Sequence, residues 1–330
     1  MFTAAVRMAG SSRPRKKNHG KLFTPAVTIS MVVLIIIIFA CAFAPWLATH
    51  DPNALDYTAI NAMPSAEHLL GCDATGRDNF SRLLFGGRTV LLGALSVVCI
   101  SAVIGIPLGL ISGYYGGKRD TVIMRLCDII LSFPSLLLAF LFVAAFGFGV
   151  SNAILALGIV YVPMLTRLTR SLTLVEKNKI YVSACISLGY GNGRIMFRHI
   201  LPNCISTVLV QLTLDIAYAI LDLAALSFLG LGVKPPQSDW GAMLSDGRQI
   251  LLTNPYLALV PGIVIVIVVV AINIFSDGLH QYLDPAQTEL PSFKKVERQQ
   301  RRQEKRAARR AQKPEVTLPR EGGSHHGKST

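Results

Sequence analysis

Residues 322–329 read Gly-Gly-Ser-His-His-Gly-Lys-Ser and fit the phosphate-binding pattern G-x-x-x-x-G-K-[ST]. That pattern binds nucleotide phosphates when it lies between a strand and the N-terminus of a helix. Here residues 315–321 have little strand character, and one residue follows the pattern. We therefore expect neither a nucleotide at this loop nor a metal ion at His325 and His326. The six cysteines show no metal or redox spacing, so the sequence predicts no catalytic residue, no metal site and no cofactor bound by this chain.

Asp215 and Asp222 are the remaining candidates for a polar role, because both lie inside an apolar stretch. They are seven residues apart, a spacing that puts them on one face of a helix. Carboxylates inside a membrane are costly and usually face a bundle interior, a pore or a partner. One role is to line a translocation path. The alternative is a structural partner, as expected for Asp128, which lies three residues after Arg125 and can pair with it.

The elements that position these residues are predicted to be membrane helices. Hydrophobic residues make up 52% of the 330 and charged residues 15%, whereas soluble domains carry about a quarter charged residues. Residues 22–50, 89–117, 129–166 and 249–276 contain no Asp, Glu, Lys or Arg. Each gap exceeds the roughly 20 residues that a helix needs to cross a bilayer. The backbone must be helical where lipid surrounds it, so we predict an all-α, polytopic membrane protein.

Six transmembrane helices fit this pattern best. They are predicted at about 26–47, 89–113, 121–146, 152–171, 205–231 and 255–276. The first apolar run is longer than the 7–15 residues of a signal-peptide core, which favours an uncleaved anchor over a secretory signal.

Lys and Arg residues orient these spans, because cytoplasmic loops carry an excess of them. Of the 32 Lys and Arg residues, 26 fall in the two tails, the 114–120 turn and the loop between the fourth and fifth spans. The pattern predicts cytoplasmic N- and C-termini, with a basic N-terminal tail at 1–25, a membrane domain at 26–285 and a basic tail at 286–330. The external segment is 48–88. The net charge of +13 reflects this bias and does not indicate nucleic-acid binding.

The polar loop at 172–204 is predicted to form a rigid protrusion. Residues 177–188 favour a short helix, and Gly189 begins a glycine-rich turn that ends it. A second helical piece at 194–201 is expected to end at Pro202, where the next helix restarts. Two short helices joined by a tight turn can transmit force from a moving partner. The alternative is a basic loop resting on anionic lipid.

This loop resembles the cytoplasmic coupling loop of ABC-type importer permeases. In that family a small-residue triplet is followed four residues later by Gly, and then by a Leu-Pro ending. The matching residues are Ser183, Ala184, Cys185, Gly189, Leu201 and Pro202. The family's usual Glu is Ser183 here, and its second Ala is Cys185. The resemblance implies that these residues couple the chain to an ATPase.

Further stretches resemble the peptide and nickel branch of these permeases. Residues 71–88 are similar to its external segment, and residues 226–244 to the segment that leads into its last external loop. The resemblance covers about residues 30–285 and implies a type I ABC importer permease fold. On the external side, the candidates for contacts with a binding protein are Arg77, Asp78, Arg82 and Trp240. The alternative for each is an ordinary place at the membrane interface.

The resemblance also implies a multi-subunit transporter and its location in the cell. This chain is identified as similar to the second permease subunit of dipeptide or oligopeptide importers in the bacterial inner membrane. Its implied partners are a homologous permease, two cytoplasmic ATP-binding subunits that hold ATP and Mg, an external solute-binding protein and the lipid bilayer. Nickel, glutathione and cationic peptides remain alternative substrates. A secondary transporter is the alternative class, but the spans hold few carboxylates and show no repeated pair of broken helices.

Overall fold

The computed structural model describes residues 24–283, so nearly all of the predicted tail 1–25 and the whole of 286–330 lie outside it. Within that range the chain is all-α, as predicted. The elements are α1 (Pro25–Ala42), α2 (Ala44–Leu47), α3 (Asn79–Tyr115), α4 (Gly117–Leu131), α5 (Ser135–Phe146), α6 (Val150–Glu176), α7 (Ile180–Ser187), α8 (Asn192–Arg194), a π-helical turn (Ile195–Ile200), α9 (Leu201–Phe228), α10 (Trp240–Gln249) and α11 (Tyr256–Leu283).

Five of the described helices are long and apolar enough to cross a membrane. They are α1, α3, α6, the helix that runs through Asn192–Phe228, and α11. The predicted span at 121–146 is divided into α4 and α5, which meet at an angle of 86°. Pro134 lacks a backbone N–H and disfavours a helical conformation at Phe133, so α4 ends at Leu131. Counted as one bent span, α4 and α5 bring the number to the predicted six.

The first turns of α3 correct the predicted start of the second span. Residues 79–88, predicted as the end of the external segment, are helical and continuous with that span. Asp78 caps this helix by accepting a hydrogen bond from the Ser81 amide at 2.8 Å. At a rise of about 1.5 Å per residue, the 37 residues of α3 are roughly 55 Å long. The helix therefore links the two faces of the molecule.

Close contact between α3 and α6 forms the centre of the bundle. Gly105, Gly109 and Gly113 repeat at intervals of four along α3 and face the backbone of α6. A β-carbon added at Gly109 would lie 2.6 Å from the Thr166 carbonyl oxygen, and one at Gly113 would lie 2.7 Å from Thr173 Cβ. Small residues in such a stripe let two membrane helices approach closely.

The helix that follows the 172–204 loop is longer than predicted. The second helical piece does not stop at Pro202, because α8, the π-helical turn and α9 form one continuous helix from Asn192 to Phe228. Pro202 lies in the first turn of α9. The wider π-helical turn before it opens the helix where the proline ring would otherwise meet the carbonyl four residues back.

The two ends of α3 contact two different parts of the chain. At its C-terminal end, the Tyr114 hydroxyl donates to the Asn192 side chain at 3.0 Å. At its N-terminal end, the Trp240 indole N–H donates to the Leu83 carbonyl at 2.9 Å. The 172–204 loop and the 48–88 segment therefore lie at opposite ends of the bundle.

Candidate coupling site and external segment

The turn predicted at Gly189 is confirmed. Gly189 has φ of +76° and donates its N–H to the Ile186 carbonyl at 2.9 Å, while the Tyr190 N–H donates to the Cys185 carbonyl at 3.1 Å. This pair of hydrogen bonds is the Schellman motif, which ends a helix at a residue in the left-handed conformation. The backbone of α7 therefore ends sharply and turns into the next helix.

The helix α7 has one buried and one exposed face. Its buried face, with Val182 and Cys185, packs against Leu110 at the end of α3. Its exposed face carries Ile180 and Ile186, which are 89% and 57% exposed. Further large apolar side chains of the loop are exposed as well: Leu188 and Phe197. An exposed apolar patch on a braced helix is typical of a protein–protein contact.

The residues predicted to couple the chain divide between the two faces. Ser183, Ala184 and Gly189 are exposed on the loop, and Pro202 is exposed at the start of α9. Cys185 is 8% exposed, and Leu201 packs, half-buried, against the same cluster. These last two therefore support the loop from inside and do not present their side chains to a partner.

Four residues that the sequence did not single out brace the loop. Lys177 Nζ donates to the Gly113 carbonyl at 3.0 Å, at the C-terminal end of α3, where a cation is favoured by the helix dipole. The Tyr181 hydroxyl donates to Glu176 Oε2 at 2.7 Å, and Lys179 pairs with the same carboxylate. Burial, and then the hydrogen bond to Glu176, raise the pKa of Tyr181 to about 12. Tyr181 thus ties α7 to the end of α6, and Lys177 ties the start of the loop to the end of α3.

Two ion pairs tie α4 to α6 beside this loop. Arg170 holds Asp120 with two hydrogen bonds of 2.6 and 2.7 Å. Arg167 pairs with Asp128 at 2.5 Å, so the predicted pair between Asp128 and Arg125 is wrong. The spacing of three residues allowed that pair, but α6 packs beside α4 and brings Arg167 to the carboxylate.

Asp215 and Asp222 both have hydrogen-bond partners within the bundle. Gln211 donates to Asp215 at 2.8 Å, four residues away on the same helix. The Tyr161 hydroxyl donates to Asp222 at 2.8 Å and so joins α6 to α9. Asp215 is buried and Asp222 half-buried. The structural alternative for these residues is therefore observed, and their role in a translocation path stays a prediction.

The predicted docking residues of the external segment lie mostly inside it. Asp78 and Arg82 are each 2% exposed and Trp240 is 1% exposed. Arg77 donates to Asp73 at 2.7 Å and its side chain is 13% exposed. Residues buried this deeply hold the segment together and are not available as surface contacts. The prediction of side-chain docking at Asp78, Arg82 and Trp240 therefore does not fit this structure.

Packing around Arg82 and Asp73 explains this burial. The Arg82 guanidinium lies 3.6 Å from Asp73 and 3.5 Å from Asp246. Burial alone would raise the pKa of Asp73, but hydrogen bonds from the Arg77 and Thr75 amides and the Thr75 hydroxyl outweigh it and lower the pKa. Arg77 and Arg82 therefore join the segment to α10 through Asp246.

An open cavity lies near the start of α6. It has a volume of about 400 Å³ and is lined by residues 148–152 and 234–237. The two stretches are joined by a hydrogen bond from the Gly149 N–H to the Leu231 carbonyl at 3.4 Å. Lys234 places a cation at its rim.

Known proteins similar to this chain are membrane transport subunits. Residues 105–289 match the family described as "Binding-protein-dependent transport system inner membrane component". Residues 25–64 match the "N-terminal TM domain of oligopeptide transport permease C". The chain is 42% identical over 281 residues to the probable D,D-dipeptide transport system permease protein DdpC of Escherichia coli, covering 83% of this chain and 94% of that one.

Two further relatives and one solved structure agree with these matches. The di/tripeptide permease DppC of Pseudomonas aeruginosa is 44% identical, covering 77% of this chain and 86% of its own. The glutathione permease GsiD of Pectobacterium atrosepticum is 41% identical, covering 85% and 94%. A chain of the inward-facing MetNI methionine ABC transporter matches with a TM-score of 0.52 at 18% identity, covering 62% of this chain and 97% of that one. The last match shows the fold.

Proposed function

The chain belongs to the binding-protein-dependent ABC importer permeases of the dipeptide and oligopeptide type, and we propose that its 172–204 loop couples the import of short peptides to a cytoplasmic ATPase. Proteins of this family are membrane subunits and not enzymes, because ATP is hydrolysed on separate ATPase subunits. They bind no cofactor of their own. A secondary transporter, the alternative class left open by the sequence, does not fit a family that depends on a binding protein.

The exposed apolar face of α7 is the observation that carries this proposal. Ile180, Ile186 and Leu188 are exposed, while the opposite face of the helix is anchored on α3. Lys177 and the Glu176–Tyr181 hydrogen bond join the loop to the ends of α3 and α6. Movement of an ATPase against the exposed face would therefore tilt two of the longest helices. This arrangement supports coupling better than adhesion to lipid.

The complete importer would contain more than this chain. ATPase and binding-protein partners follow from the family. We propose in addition one homologous permease that forms the other half of the pathway, two cytoplasmic ATP-binding subunits with their ATP and Mg, and a binding protein that docks at the 48–88 end. The exposed apolar residues of the long helices would face lipid or the second permease.

Short peptides with a free carboxylate are the proposed substrates. The named relatives transport D,D-dipeptides, di- and tripeptides, or glutathione, which share that chemistry. Lys234 at the rim of the 400 Å³ cavity offers a positive charge for such a carboxylate. Deeper in the bundle, Asp222 is half-buried and would face the amino group of a passing peptide. Nickel and cationic peptides remain the alternatives that competition measurements distinguish.

Transport by the reconstituted complex tests this function. Proteoliposomes would contain this chain with its partner permease and ATPases, with ATP inside and the binding protein and labelled dialanine outside. We expect uptake that requires both ATP and the binding protein and that is inhibited by unlabelled di- and tripeptides. Asp222→Asn should raise the KM for dialanine without lowering ATPase activity. Uptake that continues without ATP, or inhibition by Ni²⁺ alone, would contradict the proposal.

We expect both termini and the 172–204 loop in the cytoplasm, because 26 of the 32 Lys and Arg residues fall in the two tails, the 114–120 turn and the loop between the fourth and fifth predicted spans. An alkaline phosphatase fusion after residue 290 should be inactive, and one inserted next to Gln237 should be active. Green fluorescent protein at the same two positions should give the reverse result and provides the control. Activity of the fusion after residue 290 would overturn the orientation and the coupling role of the loop together.

A further inference from the structure

Three groups that bind transition metals meet at the N-terminal end of α3. His50 follows α2, His68 lies in the loop before α3, and Asp78 is the residue that caps α3. One ligand atom from each lies within 4.8 Å of the other two. His68 Nδ1 is 3.0 Å from Asp78 Oδ1, and His50 Nδ1 is 4.0 Å from the same oxygen. The two imidazole rings lie side by side with centroids 4.7 Å apart.

The two carboxylate oxygens of Asp78 have different partners. Oδ2 accepts hydrogen bonds from the Ser81 amide at 2.8 Å and from the Ser81 hydroxyl at 2.7 Å. Oδ1 is turned toward the two imidazoles. Carboxylate ligands of metals are usually held in this way, by hydrogen bonds to the oxygen that does not coordinate. The capping interaction therefore fixes Oδ1 in a ligand's position.

The backbones of both histidines are fixed as well. The His50 amide donates to the Ser81 hydroxyl at 3.1 Å, so Ser81 orients His50 and Asp78 at once. The His68 amide donates to the Ser65 hydroxyl at 3.0 Å. The side chains of His68 and Asp78 are 8% and 1% exposed, whereas that of His50 is 38% exposed. Two ligands are thus held in place. The third, His50, is more exposed, and its Nδ1 would exchange the Thr49 hydroxyl, 3.1 Å away, for the ion.

We propose that His50, His68 and Asp78 bind a divalent transition-metal ion of the Zn²⁺ class, with water as the fourth ligand. Bonds of about 2.0–2.1 Å in a tetrahedron place neighbouring ligand atoms roughly 3.3 Å apart. The observed 3.0 and 4.0 Å lie on either side of that value, and a small rotation of the exposed His50 ring closes the difference. Two imidazoles with one carboxylate suit Zn²⁺ better than Mg²⁺ or Ca²⁺, which prefer oxygen ligands.

The ion would join three parts of the chain at the end of the bundle opposite the coupling loop. The end of the first span, the 65–72 loop and the start of α3 would share one centre. A metal ion that binds only the folded form stabilises that form. The site would thus act as a clamp on the external segment.

Calorimetry of the purified full-length chain with ZnCl2 tests the site. The chain would be freed of metal with a chelator, in a His325→Ala, His326→Ala background that removes the other histidine pair. We expect one Zn²⁺ per chain and no saturable heat with MgCl2. His50→Ala should weaken zinc binding at least about tenfold, since even the loss of a supporting residue has that effect. His280→Ala, which changes a histidine of α11, should bind as the background does.

Two further measurements keep the test independent of folding. His50 is the most exposed of the three ligands and does not cap α3, so His50→Ala should match the background in melting temperature without metal. Zinc should raise the melting temperature of the background and not that of His50→Ala. X-ray absorption at the zinc edge should show two imidazoles. Failure of the background protein to bind one zinc ion, or equal binding by His50→Ala, would overturn the proposal.

Discussion

Replacement of Gly109 by leucine should remove most of the protein from the membrane. A β-carbon at this position would lie 2.6 Å from the Thr166 carbonyl oxygen and from Thr169 Cβ, and 3.0 Å from the Arg170 amide nitrogen. Two of these three neighbours are backbone atoms and cannot rotate away. The axes of α3 and α6 would have to separate, and the packing at the centre of the bundle would be lost. Overpacking of this kind costs about 1–3 kcal/mol or more.

Membrane abundance and the melting temperature in detergent are the measurements for this prediction. Gly93→Leu is the matched control, because its β-carbon would mainly approach Leu223 Cδ1, at 3.1 Å, the end of a flexible side chain. We expect Gly109→Leu to be nearly absent from the membrane and Gly109→Ala to show a reduced abundance and melting temperature. Gly93→Leu should be the least affected in both measurements. Abundance of Gly109→Leu equal to that of Gly93→Leu would show that α3 and α6 are not packed as described.

Most of the helices could be predicted, because long stretches without Asp, Glu, Lys or Arg indicate membrane helices directly. The bend between α4 and α5 was harder to predict. The sequence indicated one span at 121–146, and not an angle of 86° within it. Sequence shows where a proline removes a hydrogen bond, whereas the size of the resulting bend is set by the neighbouring helices.

The coupling loop was predicted better than the external segment, and the reason is physical. The turn at Gly189 depends on local backbone geometry, which a glycine signals directly. Whether the side chains of Arg82 and Trp240 are buried or lie at the surface depends on tertiary packing. Both types of side chain serve equally well at a surface and in a buried contact. Here the Trp240 ring packs against Gly87, which has no side chain to block it. No local sequence pattern predicts that contact.

Spacing along one helix also fails to identify partners on another. Asp128 satisfied the rule for a pair with Arg125, yet Arg167 of α6 is its partner. The cluster of His50, His68 and Asp78 was missed for the same reason. Its members are 18 and 10 residues apart in sequence and have no recognised metal-binding spacing.

Replacement of Gly189 by leucine is expected to uncouple transport while leaving the protein in the membrane. Gly189 has φ of +76° and no atom within 4 Å of its added β-carbon, so the penalty comes from the backbone alone. A left-handed conformation costs an ordinary residue roughly 1–2 kcal/mol. That energy corresponds to a factor of about 5–30 in an equilibrium. The turn that ends α7 would be lost in many molecules, and the exposed face would no longer seat against the ATPase.

Added bulk and backbone strain can be separated within the same loop. Gly191 also has no atom within 4 Å of an added β-carbon, but its φ is −65°, which leucine adopts freely. Gly191→Leu therefore adds equal bulk without strain. Gly189→Asn adds a side chain that tolerates positive φ. In proteoliposomes with matched protein content, we expect peptide uptake per ATP hydrolysed to fall severalfold in Gly189→Leu. In Gly189→Asn and Gly191→Leu, peptide uptake per ATP hydrolysed should stay close to that of the unaltered protein. If Gly191→Leu were impaired as strongly as Gly189→Leu, bulk at the ATPase contact, and not the backbone of the turn, would be the cause.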